Sequence, residues 1–123
     1  ERELGRPMPW HVHLVKNVPH GAGLGGGSSD AACVLEALNS LEGGVLPPER
    51  LAELAGEIGS DVGFFIYGTA CRCTGRGEKV APLPDWREWA PLLVLLNPAV
   101  GVSSPDAYRR WAGSRELPGI PYV

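Results

Sequence analysis

The sequence predicts an α+β domain. Three observations carry that prediction. Two stretches space their apolar residues three and four apart, the helical period. Several short apolar runs are bounded by Gly or Pro, as strands are. The order of the stretches, β-loop-α-α-β-β-β-β-α, groups like elements instead of alternating them, so an all-parallel sheet is not expected. The 123 residues suit one domain, and a chain of that length buries roughly two thirds of its unfolded surface.

Taken in order, residues 1–10 carry charges and prolines with no periodic signal. His11 to Lys16 alternates moderately and is expected to be a strand. Pro19 to Gly27 is a glycine-dominated loop, and Ser28 or Ser29 can cap the helix behind it. The apolar stripe of that helix is Ala31, Val34, Leu35, Leu38 and Leu41, and Gly43-Gly44 ends it. A second helix starts near Pro47-Pro48, carries Leu51, Leu54, Ala55 and Ile58, and stops at Gly59. Phe64–Tyr67 and Ala70–Cys73 are expected as short strands about Gly68. Thr74 to Gly77 reads as a turn and Lys79–Ala81 as a strand. Leu92 to Leu96 is apolar throughout, the pattern of a central strand buried on both faces. Pro105 to Trp111 has the look of a short helix.

Composition excludes several function classes. Hydrophobic residues make up 44% and charged residues 20%, near the average for soluble domains. The net charge of −3 argues against a nucleic-acid binder, which needs a basic face. The longest apolar run, Trp89 to Leu96, is too short to cross a bilayer, and no signal peptide opens the sequence. Cys33, Cys71 and Cys73 are odd in number and lack disulfide or metal spacing, which suits reduced thiols in the cytoplasm. His11 and His13 share a strand face without further ligands at metal spacing.

The chemistry concentrates in Gly21-Ala22-Gly23-Leu24-Gly25-Gly26-Gly27-Ser28-Ser29-Asp30. Glycines permit backbone conformations and close approaches that a Cβ forbids. Successive N–H groups in such a loop can converge on one anion. The helix behind adds free N–H groups and a positive dipole end. Hydroxyls at Ser28 and Ser29 can meet phosphate oxygen or a divalent cation. The pattern is a phosphate cradle. It is not a dinucleotide fingerprint, because the acidic residue that fingerprint requires would fall near Glu42, at a helix end with a second helix following. It is not a P-loop either, since no Lys follows the glycines.

Lys16-x-x-Pro19, Ala22-Gly23-Leu24-Gly25-Gly26-Gly27-Ser28-Ser29-Asp30-Ala31-Ala32 and Leu38-Asn39 together resemble the GHMP kinases. The resemblance is closer to the branch acting in the non-mevalonate (MEP) isoprenoid pathway. Gly59-Ser60-Asp61-Val62-Gly63-Phe64-Phe65, Gly75-x-Gly77-Glu78 and Asn97-Pro98 with Val102-Ser103-Ser104 and Tyr108 agree with that branch in order and spacing. The resemblance runs from about Lys16 to Tyr108. It implies a ribosomal protein S5 domain 2-like fold and transfer of the γ-phosphoryl of ATP, with Mg2+, to the 2-hydroxyl of 4-diphosphocytidyl-2-C-methyl-D-erythritol. The alternatives are another GHMP small-molecule kinase, acting on mevalonate or homoserine for example, or a nucleotide-binding fragment without catalysis.

Residue by residue, the resemblance gives Lys16, Pro19, His20, Gly21, Ala22, Gly23, Leu24, Gly25, Gly26, Gly27, Ser28, Ser29 and Ser104 to the nucleotide. It gives Ser29 to the metal as well, Tyr108 to the cytidine side, and Asp61 to catalysis at the acceptor hydroxyl. A turn or helix-end role would also suit Asp61 in Gly59-Ser60-Asp61. Gly63 stands where that block has Pro, which leaves the loop carrying Asp61 less preorganised. The family's N-terminal strand segment, with its catalytic Lys, and its C-terminal domain have no counterpart in these 123 residues. The chain is therefore expected to be the central part of such a kinase, mostly its ATP-binding domain, with the substrate region starting after about 98 and catalysis incomplete.

Overall fold

The computed structural model describes residues 3–19, 21–84, 92–96 and 100–112. Three helices and a hairpin form its body: α1 (Gly26–Leu41), α2 (Pro48–Ile58), α3 (Val62–Tyr67), β1 (Cys71–Thr74) and β2 (Lys79–Pro82), followed by α4 (Ser104–Ala112). The mixture of helices and an antiparallel pair is α+β.

α1 ends at its C-cap Glu42, ahead of Gly43-Gly44, but its buried residue is Ala32, outside the expected stripe, of which Ala31 and Leu35 pack on the core and Leu41 is exposed. Its start differs from expectation. Gly25, in the left-handed region, is the N-cap, and no side chain caps the helix. Ser28 and Ser29 already lie in the first turn, and Ser29 turns its hydroxyl back onto Gly26 O at 2.9 Å. α2 begins as expected, with Pro48 at its first position where the missing N–H costs nothing. Glu49 in that first turn faces the positive dipole end. Asn39 joins the two helices: its amide donates to Leu46 O at 2.9 Å and its carbonyl accepts from Leu46 N at 3.0 Å.

Residues 64–67, expected as a strand, are helical. A Gly59–Val62 turn, closed by Val62 N donating to Gly59 O at 3.1 Å, launches α3. Gly68 ends it in the left-handed region. Burial of Val62, Gly63 and Ile66 fits one side of a helix packed on α1 and α2, whereas a strand would turn Gly63 to the face opposite Val62 and Ile66. The core consists of Ala32 from α1, Leu51, Ala52 and Ala55 from α2, and Val62 and Ile66 from α3. Gly63 is buried too; a Cβ there would lie 3.1 Å from Ala52 O. Packing against α2 thus removes the freedom expected of Gly63, which belongs to a helix and not to a loop.

The hairpin follows expectation. β1 and β2 are antiparallel, with Cys71 opposite Pro82 and Thr74 opposite Lys79. Gly77 N donates to Thr74 O at 3.1 Å across the turn. The Glu78 carboxylate accepts from Arg76 N at 2.7 Å. Backbone amides of Glu78 itself and of Arg76 hold that carboxyl below the ordinary Glu range.

Two expected strands are not formed. His11–Lys16 and Leu92–Leu96 have no ladder partner, because β1 and β2 make the one sheet among the described residues. A β pattern alone cannot make a strand without a neighbour to take its N–H and C=O groups. Leu92–Leu96, expected to be buried on both faces, is between 68% and 101% exposed. The N-terminal stretch is tied down instead by charge. Glu3 takes Arg50 through Nε at 3.0 Å and Nη2 at 2.7 Å, Glu42 accepts from Trp10 Nε1 at 2.7 Å, and Arg6 pairs with Glu42.

Candidate functional site

The glycine loop connects the segment ending at Pro19 to the start of α1. Gly21, Gly23 and Gly25 have φ of 72°, 70° and 67°. That alternation is what a glycine at every second position makes possible, and any other L-residue there would be strained. The loop encloses a cavity of about 240 Å³ lined by Lys16, Pro19 and residues 21–28. A Cβ on Gly21 or Gly23 would meet nothing within 4 Å, so the space beside both is open. A Cβ on Gly25 would lie 2.9 Å from Phe65 Cζ, and one on Gly26 would lie 2.9 Å from Val18 Cγ1. The floor of the loop is therefore pressed against α3 on one side and the entering segment on the other.

The first i→i−4 bond of α1 is Ser29 N to Gly25 O at 2.9 Å. The amides of Gly26, Gly27 and Ser28 precede it and have no carbonyl partner within the helix. They face the cavity end of α1, where the dipole is positive. Ser29 Oγ spends its proton on Gly26 O and keeps its lone pairs, as a cation ligand must. Among the described residues lining the cavity, Lys16 is the one that carries charge, and its ammonium pairs with Asp30. Open space beside glycines, uncommitted amides and a hydroxyl acceptor fit an anion with several oxygens, such as a polyphosphate with its metal.

Asp61 precedes α3, exposed, and its side chain makes no capping bond. Its Oδ1 lies beside the hairpin turn, 3.4 Å from where a Cβ on Gly77 would be. Phe65, the residue under the cradle, follows it by four positions and so shares its helix face. The structure thus brings together the loop, Lys16 and Ser28 at one cavity, whereas Ser29 is not on that lining and turns its hydroxyl onto Gly26 O, and Asp61 lies beside the hairpin turn. It does not bring in Ser104 or Tyr108. α4 packs on none of the other elements among the described residues, and Tyr108 is exposed. His20, Asn97 and Pro98 lie outside the described residues. Asp30, quoted in the motif without a role, is the residue missed; its spacing from the loop, on the face that meets Lys16, was the available signal. Asn39, also quoted there, closes the α1–α2 junction. No group of three or more His, Cys, Asp or Glu able to hold a metal occurs among the described residues.

Residues 1–69 match the family description "GHMP kinases N terminal domain". The chain belongs to the GHMP kinases. Individual relatives of this GHMP kinase chain carry a narrower name. A protein of Oleidesulfovibrio alaskensis named 4-diphosphocytidyl-2-C-methyl-D-erythritol kinase is 50% identical over 109 residues, 87% of this chain and 33% of the relative. One of Geobacillus with the same name is 46% identical over 101 residues, 80% of this chain and 33% of the relative. A tomato (Solanum lycopersicum) protein, named as the chloroplastic/chromoplastic form, is 46% identical over 110 residues, 89% of this chain and 27% of the relative. The chain spans about a third or less of the length of these curated relatives.

Proposed function

We propose that this chain is the nucleotide-holding part of a kinase that phosphorylates the 2-hydroxyl of 4-diphosphocytidyl-2-C-methyl-D-erythritol from ATP, in isoprenoid precursor synthesis. The observation that carries the reading is the glycine cradle: three left-handed glycines opening onto the uncapped start of α1. The names of the relatives favour this acceptor over that of another GHMP kinase. Bound ATP would supply the γ-phosphoryl group, and Mg2+ the countercharge that a single paired lysine does not. Phosphoryl transfer asks the protein for position and charge more than for covalent chemistry.

In this reading the amides of Gly26, Gly27 and Ser28 hold phosphate oxygens, and Ser29 Oγ is the cation ligand. Asp61 orients the acceptor hydroxyl and takes its proton as that oxygen bonds to the γ-phosphorus and the bond from the γ-phosphorus to the departing ADP breaks. Ser104 and Tyr108 would serve the nucleotide and the cytidine once α4 is carried to the cradle. The S5 domain 2-like fold belongs to the same reading. So does the assignment of the chain to the middle of a longer kinase, whose remainder would cover Leu92–Leu96. Three free cysteines suit a reducing compartment such as the cytoplasm.

The test is a thermal melt of the chain with and without saturating Mg-ATP. Ligand at 100 times its Kd stabilises by about 2.7 kcal/mol, a shift on the order of 10 °C for this size. In the protein extended to the length of its relatives, Asp61→Asn is expected to lose most turnover on the diphosphocytidyl alcohol and keep its ATP affinity. No shift with Mg-ATP removes the cradle assignment; unchanged turnover removes that of Asp61.

A further inference from the structure

The cradle wall has a seam held by two contacts. On the entering segment, Lys16 and Val18 are two residues apart. On α1, Gly26 and Asp30 are four apart, roughly 6 Å along one helix face. Val18 sits under Gly26, close enough that a Cβ would lie 2.9 Å from its Cγ1. Lys16 pairs with Asp30. The two contacts, Lys16 with Asp30 and Val18 with Gly26, therefore run antiparallel and hold the segment beside the first turn of the helix. Among the described residues no backbone hydrogen bond spans the loop between Asn17 and Leu24. The shape of the loop then depends on how its two ends are held. Gly25 on Phe65 holds the exit, and the seam holds the entrance.

We propose that Asp30 is a positioning residue which, through Lys16, clamps the entrance of the glycine loop and fixes the mouth of the cradle. The pair has room to act. Its side chains are 33% and 35% exposed, so it is screened less than a surface pair, and Lys16 lines the cavity while Asp30 does not. The carboxylate pulls the ammonium toward α1 and leaves the phosphate space to the amides. The service of the clamp to a triphosphate rests on the nucleotide reading above; the clamp itself does not.

Hydrogen exchange on the full chain without nucleotide tests the clamp directly. Asp30→Asn is expected to speed exchange of the amide that closes the loop onto α1, Ser29 N on Gly25 O, by about fivefold, the upper range for a partly exposed ion pair, and to leave the β1–β2 amides unchanged. Asp30→Glu, which keeps the charge, should restore most of the protection. Lys16→Met with Asp30→Asn should be no worse than either alone. Unchanged exchange at Ser29 N in Asp30→Asn overturns the proposal, as does an equal change in the hairpin, which would mark a general loss of stability. A Mg-ATP titration then separates the two readings. A weaker Kd in Asp30→Asn, by a similar factor, is the expected result, and a tighter one, from a freed Lys16, overturns the clamp. Wild-type chain that fails to bind Mg-ATP while the exchange result holds overturns the nucleotide reading alone.

Discussion

Gly25→Ala probes the loop geometry most sharply, because two separate costs meet there. The first is backbone strain. Gly25 has φ 67°, and a non-glycine residue in that region costs about 1–2 kcal/mol. The second is steric. The new Cβ would lie 2.9 Å from Phe65 Cζ, whose ring packs against the core cluster, so ring or loop must move by several tenths of an ångström. Overpacking of this kind costs about 1–3 kcal/mol. Gly21→Ala is the matched control. Its φ of 72° brings the same strain, but nothing lies within 4 Å of the new Cβ. The expected losses are about 1–2 kcal/mol for Gly21→Ala and about 2–5 kcal/mol for Gly25→Ala. At about 4 °C per kcal/mol for a chain of this size, thermal melts followed by circular dichroism resolve the two. Phe65→Leu in the Gly25→Ala background should recover part of the difference, a coupling of at least about 1 kcal/mol. Equal melts for the two alanine variants, or no coupling with position 65, would refute the argument that α3 supports the floor of the cradle.

The hairpin turn should be acid-sensitive. Because the carboxyl of Glu78 is held below the ordinary Glu value near 4.5, its contribution is complete above that pH and is lost as pH falls through the lowered value. Amide exchange at Arg76 and Gly77 should therefore accelerate only below that range, and Glu78→Gln should abolish the pH dependence. The thiols should differ in reactivity: burial, and then the neighbouring Cys73, push the Cys71 thiol up, and it also leans on Thr69 O at 3.3 Å, whereas Cys33 and Cys73 are exposed. Brief alkylation at neutral pH, read by peptide mass spectrometry, should label Cys33 and Cys73 ahead of Cys71.

The parts of the fold written in local chemistry were legible. Pro48 at the start of α2, Gly59 at its end and the Thr74–Gly77 turn each act within a few residues, so their side chains and φ angles decide the outcome. The cap of α1 was misread because Ser is the commoner N-cap. Here the left-handed run of glycines carries straight into the helix and makes Gly25 the boundary. α3 was misread because four consecutive apolar residues satisfy a strand and a buried helix equally. The burial that separates the two, Val62 and Gly63 together with Ile66, comes from packing on neighbouring helices and not from the pattern itself.

What the sequence could not supply was partnership between distant segments. Leu92–Leu96 has the composition of a doubly covered strand, yet each of its residues is exposed. Composition states what a segment requires and not whether the requirement is met within the same chain. The candidate site divides along the same line. The lining of the cradle is local, drawn from residues between Lys16 and Ser28, although Phe65 of α3 supports its floor. Asp61 begins the helix whose Phe65 supports Gly25, but its own carboxylate lies beside the hairpin turn. Ser104 and Tyr108 depend on α4, which rests on no other element among the described residues. A loop of this geometry can thus be read from fifteen consecutive residues, Lys16 to Asp30, whereas the places of Asp61, Ser104 and Tyr108 are a property of how separate segments meet.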